Sequence, residues 1–214
     1  MSLLVAEHLS RKLRHGGMLL DDITLTVEPG EILTIEGENG AGKTVLLKAL
    51  LGLTDSTGTL TISGHPFRLG QAYPLKAGIL IENPSLINDF TAFQNLKLLA
   101  TLIPGVTDEE INTVLRELSL DPRSKTRAKD FSLGMREKLG IAQALMGHQP
   151  LIVLDEPTNA LDEDSKTTLA ALVRTYRNLG STFVIASHDR EFIEAVTTRR
   201  VKMKEGHLIE QQVA

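Results

Sequence analysis

The 214-residue sequence predicts an α/β fold: a mainly parallel core sheet, an N-terminal antiparallel β subdomain and an inserted α-helical subdomain. Two observations point to it. The runs EILTIEG (31–37), KAGILIE (76–82), LIVL (151–154) and STFVIAS (181–187) are short and largely apolar, the pattern of strands covered on both faces. Between 83 and 149 the pattern is helical only, and alternation of strand and helix resumes after it, which marks an insertion in a β/α core.

Taken in order, 3–9 and 18–27 (MLLDDITLTV) predict strands, the second alternating polar with apolar positions. A turn at 28–30 (EPG) leads to the strand 31–37. The apolar helical run VLLKALLGL closes at Gly52, 57–64 predicts a short strand between glycine turns, and 76–82 another buried strand. Thr91 opens a helix that stops at Pro104. Thr107 to Glu110 predicts a capping box for INTVLRELSL, Pro122 to Asp130 a linker, and Ser132 the start of a long amphipathic helix through Met146. LIVL is a strand, 163–179 a helix, STFVIAS a strand, REFIEAV a helix, and VKM with HLIE a closing hairpin around Glu205-Gly206.

Composition narrows the function. The net charge of −4, two Tyr and no Trp argue against a phosphate-tracking or base-stacking surface, so no nucleic acid partner is expected. With no Cys, disulfides and thiolate metal sites are excluded. The N-terminal apolar stretch is too short for a signal peptide, and no run approaches the ~18 apolar residues of a membrane span.

The segment Gly37-Glu-Asn-Gly40-Ala41-Gly42-Lys43-Thr44 matches G-x-x-x-x-G-K-[ST] between a predicted strand and a predicted helix, the arrangement of a P-loop NTPase core. Its glycines let backbone N–H groups turn inward onto phosphate oxygens, and the helix adds its positive end. Lys43 would reach the β and γ phosphates, and the Thr44 hydroxyl would bind Mg²⁺. In an open α/β sheet ligands sit beyond the carboxyl ends of the strands. Asp155, ending LIVL, is placed there to hold Mg²⁺. Glu156 is placed to polarise the water that attacks the γ-phosphate. His188 follows STFVIAS in the same way.

With these residues in place, the chain resembles the nucleotide-binding subunit of an ABC transporter over nearly its whole length. Gly37 to Thr44 resembles the Walker A motif, Leu151 to Glu156 Walker B with the catalytic glutamate, Asn159 to Asp162 the D-loop, His188 the switch histidine, and 131–145 (FSLGMREKLGIAQAL) the signature and its helix. The usual L-S-G-G-Q reads Phe131-Ser132-Leu133-Gly134-Met135 here. Glu82 stands at the Q-loop position, and both departures are similar to drug, lantibiotic and bacitracin-type exporters. The stretch Arg11 to His15 lacks the usual adenine-stacking Phe, Tyr or Trp; His15 is its one ring.

The resemblance implies one ABC-type ATPase domain over 1–214, with 1–82 and 150–214 as the nucleotide-binding core and 83–149 as a helical subdomain. It implies ATP and Mg²⁺ as cofactors. Lys43, Glu156 and His188 would be catalytic. Gly37, Asn39, Gly40, Ala41, Gly42, Lys43, Thr44 and Val45 would bind nucleotide, with Ser132, Gly134 and Asp162 completing a second subunit's site. Thr44, Asp155 and Glu82 would hold the metal. The implied partners are a second copy, or a paired ATPase subunit, around two ATP molecules and a separate transmembrane permease, so the chain would sit in the cytoplasm, peripheral to the membrane through that permease. A soluble ABC-type ATPase and a nucleotide-dependent regulatory module are the alternatives.

Overall fold

A computed structural model describes residues 1–12 and 16–213. The predicted ring at His15 lies outside them. In chain order the elements are β1 (Leu4–Lys12), β2 (Met18–Val27), β3 (Ile32–Glu36), α1 (Lys43–Leu50), β4 (Thr57–Ile62), β5 (His65–Phe67), β6 (Ala77–Leu80), α2 (Ala92–Ala100), α3 (Asp108–Glu117), α4 (Leu133–Leu145), β7 (Leu151–Asp155), α5 (Glu163–Asn178), β8 (Thr182–Ser187), α6 (Arg190–Val196), β9 (Arg199–Lys204) and β10 (His207–Val213).

They form two sheets. A four-stranded antiparallel sheet runs β2-β1-β4-β5, and a six-stranded sheet runs β10-β9-β3-β8-β7-β6. The second is parallel throughout except for the β9–β10 hairpin. Its central strands obey the period of two. Leu33, Ile35, Leu151, Val153, Val184 and Ala186 turn to one face and join a core with α1 and the antiparallel sheet. Ile32, Ile152, Leu154, Phe183 and Ile185 turn to the other and join a core that includes Leu96, Ile111, Val114 and Leu115 of the inserted helices. Helices α2 and α3 therefore share their core with the sheet.

Several local expectations shift. β1 runs on to Lys12, and a short strand, β5, pairs with β4 in a stretch to which the sequence assigned no element. The linker holds a 3₁₀ turn at Ala128–Asp130. At Thr107 only half of the capping box forms: its hydroxyl accepts from Glu110 N–H at 3.2 Å, but the Glu110 carboxylate accepts from Gly147 N–H at 2.9 Å instead of returning the bond. The complete box is at Thr91, with Gln94. A carboxylate free to swing takes the orphan amide of a loop over a helix end it does not need.

Candidate functional site

Strand register assembles the site. Asp155 lies opposite Ala186, Ala186 opposite Ile35, and Glu36 opposite Ser187, so β3, β8 and β7 end at nearly one level. The loop from Gly37, then Glu156 and His188, therefore emerge side by side. Glu156 leaves its strand with φ 49° and anchors its N–H on the Ala186 carbonyl at 2.8 Å.

The loop from Gly37 closes over the start of α1. Gly42 precedes the helix at φ 105°, and a Cβ there would lie 2.9 Å from the Leu19 carbonyl and 2.8 Å from Met203 Cε. The pressure comes from β2 and the closing hairpin. Gly206 N–H donates to the Ala41 carbonyl, and the Gly206 carbonyl accepts from Asp21 N–H, both at 2.9 Å. The sequence marks Glu205-Gly206 only as a turn; its support of a loop 165 positions earlier carries no local signal.

Lys43 is 5 % exposed and turns back into this loop. Its ammonium donates to the carbonyls of Gly37 at 2.5 Å and Glu38 at 3.1 Å, and lies 2.9 Å from Glu156 Oε1. The other Glu156 oxygen is 2.8 Å from His188 Nδ1. Thr44 donates its hydroxyl to Asp155 Oδ2 at 2.7 Å, while Asp155 Oδ1 is buried with no hydrogen bond. A buried carboxylate oxygen without a donor, beside a hydroxyl, suits a hard cation such as Mg²⁺.

The remaining expected site residues are placed as follows. The Glu82 side chain is not beside Asp155: it is 61 % exposed and pairs with Lys48 at 2.6 Å. Only its backbone amide serves the Asp155 carboxylate. Lys48 is on α1, one turn after Thr44, and nothing in the local sequence links it to Glu82. Asp162 caps α5, accepting from Ser165 N–H at 2.9 Å, and the Ser165 hydroxyl first and then this amide hold its carboxyl below the usual range. Ser132 caps α4 in the same manner, accepting from Met135 N–H at 3.2 Å, and stands exposed next to an exposed Leu133. Gly134 lies under the D-loop, where a Cβ would be 2.8 Å from the Ala160 carbonyl. The Ala41 N–H is engaged by the Glu38 carbonyl at 3.1 Å; Asn39 and Gly40 are exposed, and Val45 is half-buried on α1.

Negative charge is concentrated at this edge. Burial raises the Asp155 carboxyl, with Glu156 adding to it, against the Thr44 hydroxyl, the Glu82 amide and Lys43. Glu137, on α4, is pushed up to about 7, first by burial and then by Asp155. Between the ordinary 4.5 and about 7 the folded chain keeps a Glu137 proton that the unfolded chain releases, so stability falls as pH rises through that window. Glu137→Gln stays neutral. Its melting temperature in nucleotide-free protein is expected to climb relative to the unsubstituted chain as pH rises across the window, and a difference flat with pH would refute the burial of this carboxyl.

The comparisons with known proteins agree with this geometry. The family model described as "ABC transporter" matches residues 20–159. The chain is 36 % identical to an uncharacterized ABC transporter ATP-binding protein, YybJ, of Bacillus subtilis, over 89 % of this chain and 88 % of that protein. It is 32 % identical to the lantibiotic transport ATP-binding protein SrtF of Streptococcus pyogenes, over 89 % and 82 %. It is 34 % identical to the bacitracin transport ATP-binding protein BcrA of Enterococcus faecalis, over 90 % of this chain and 64 % of that longer protein. A solved structure titled as the ATP-binding subunit of an ABC transporter superposes with a TM-score of 0.87 at 27 % identity, covering 99 % of this chain and 90 % of that one. A dimeric ATP-binding cassette in a post-hydrolysis state with ADP and Pi shares the fold, with a TM-score of 0.88 at 22 % identity, over 98 % of each chain.

Proposed function

The chain belongs to the ABC transporter family as an ATP-binding ATPase subunit, and from that premise we propose that it pairs with a second ATPase subunit around two Mg²⁺-ATP and drives a separate permease in export. The observation that carries the reading is the convergence of Lys43, Thr44, Asp155, Glu156 and His188 at the level ends of β3, β7 and β8.

In this reading phosphate competes with Glu156 for Lys43. An incoming γ-phosphate offers the ammonium charged oxygens, and Lys43 exchanges its ion pair for them. Glu156 is then released to hold a water, with His188 keeping its carboxylate oriented. The pair is 15 % (Glu156) and 5 % (Lys43) exposed, so these charges act with little screening. Thr44 and Asp155 would hold Mg²⁺, which neutralises charge on the phosphate oxygens. Ser132, at the start of α4, stands exposed, which suits contact with nucleotide on a partner subunit.

For the permease, the best seat is a groove of about 610 Å³ beside the edge strand β6. Leu53, Ile79, Leu102 and Ile103 supply apolar lining, and the Lys48–Glu82 pair sits on its wall. Leu102, Leu53 and Ile79 are all exposed along this groove, a grouping of apolar side chains that suits a covering partner. The names of SrtF, a lantibiotic transport ATP-binding protein, and of BcrA, a bacitracin transport ATP-binding protein, favour a transport role through such a permease.

Two measurements test this. Purified chain is expected to release phosphate from ATP only with Mg²⁺. In cells containing the permease it is expected in the membrane fraction, and Leu102→Glu should move it to the soluble fraction with ATP hydrolysis retained. Among the described residues no helix is long and apolar enough to cross a membrane. Equal partition of both forms into the soluble fraction would remove the permease from the reading and leave the ATPase.

A further inference from the structure

Helix α4 stands beside β6 and β7, and its packing fixes which face looks at the catalytic edge. Near its C-terminal end, the Ala144 carbonyl lies 1.8 Å from where a Gly78 Cβ would be. One turn earlier, a Cβ on Gly140 would lie 2.8 Å from Leu80 Cδ1 and 2.6 Å from Pro84 Cβ. At its start, Gly134 is pressed against the Ala160 carbonyl. Glu137 is three positions from each of Gly134 and Gly140, so it lies between them on this face. Leu80 is opposite Leu154 across β6 and β7. One turn above Leu80 the helix is therefore level with Asp155, and a long helical side chain leans toward the N-terminus, toward the strand ends. The charge of Asp155 is felt at Glu137, while the neighbouring Lys138 lends its charge to Asp162. Glu137 is thus a half-buried carboxyl that feels the charge of another acid, an arrangement that favours a cation between them.

We propose that Glu137 is a positioning residue for the cation that accompanies the nucleotide, its carboxylate accepting hydrogen bonds from water bound to Mg²⁺ held by Thr44 and Asp155. The inference rests on the nucleotide–metal reading of the site and extends it. Mg²⁺ keeps several of its waters when only one or two protein oxygens bind it directly. Outer acceptors that orient such ligands commonly change metal affinity by about 10-fold or more. The pair Thr44 and Asp155 supplies few direct oxygens, so the water shell is where a third acid has leverage.

The test uses Mn²⁺ as a paramagnetic probe, titrated into the full chain with a non-hydrolysable ATP analogue and followed by electron paramagnetic resonance. Glu137→Gln is expected to weaken Mn²⁺ binding about 10-fold while leaving affinity for the analogue in chelator unchanged, and Glu137→Asp to recover most of the loss. Unchanged Mn²⁺ affinity in Glu137→Gln overturns the proposal. So does an equal loss of analogue affinity in chelator, which marks general damage to α4. An unsubstituted chain that binds neither analogue nor Mn²⁺ with it would instead overturn the nucleotide reading, and this inference with it.

Discussion

Glu156→Gln is expected to bind ATP at least as tightly as the unsubstituted chain and to hydrolyse it slower by a factor of ~10² or more. That factor is about 2.7 kcal/mol of transition-state stabilisation. The amide keeps the size of the side chain and can still meet His188, but it cannot take a proton from water. It also ends the 2.9 Å ion pair with Lys43, so the ammonium no longer has to leave a carboxylate to reach phosphate. Binding should therefore not suffer, and the two-subunit assembly should persist with ATP bound. Equilibrium binding, single-turnover phosphate release and sedimentation with ATP measure the three effects. Turnover near the unsubstituted rate would reduce Glu156 to an anchor for Lys43 and His188.

Lys43→Ala and Ser132→Arg are each expected to abolish hydrolysis alone and to restore part of it when mixed. Without Lys43 the loop loses the buried cation that faces the phosphates, and nucleotide binding should go with it. Arginine at 132 should leave nucleotide binding by the monomer intact and block the pairing of subunits. In a mixed pair, the intact P-loop of one chain meets the intact Ser132 of the other, and one site of the two works. Ser132 also caps α4, a contribution of about 1 kcal/mol, so Ser132→Arg risks a simple loss of helix stability. Ser132→Asp separates the two effects. It keeps a capping oxygen and sets a negative charge where a γ-phosphate would come, and it is expected to be as inactive as Ser132→Arg. An active Ser132→Asp, or no recovery on mixing, would mean that the α4 start does not serve a partner's nucleotide.

What could be read from the sequence follows from how local each signal is. The runs around Leu33, Val153 and Val184 show as buried strands because both faces of the pleat are covered, and that leaves an apolar mark on consecutive residues. Gly37 to Thr44 is legible because a backbone that wraps phosphate needs glycine at fixed spacing. The His65–Phe67 strand was missed because it is short, contains Pro66 at a sheet edge and gains its identity only by pairing with β4.

Side-chain destinations were the least legible. Glu82 could be assigned to the end of a buried strand, but its carboxylate goes to Lys48, which is 34 positions away in sequence and 2.6 Å away in space. Glu110 fits a capping box by spacing, and the loop amide of Gly147 takes it. A charged side chain on a flexible stem settles with the best donor in reach, and reach is a property of packing.

By itself, then, the sequence determined the local periodicities, the glycine loop and the acids that follow a buried strand, because each is written in residues a few positions apart. Only the tertiary structure decided that Gly37, Glu156 and His188 meet, since that depends on β3, β8 and β7 being neighbours in register. It also decided that the Gly206 turn braces the P-loop and that Glu137 stands level with Asp155. The reason is common to all of them: strand order and helix register are set by the burial of whole faces, a sum over many residues that leaves no mark on any single one.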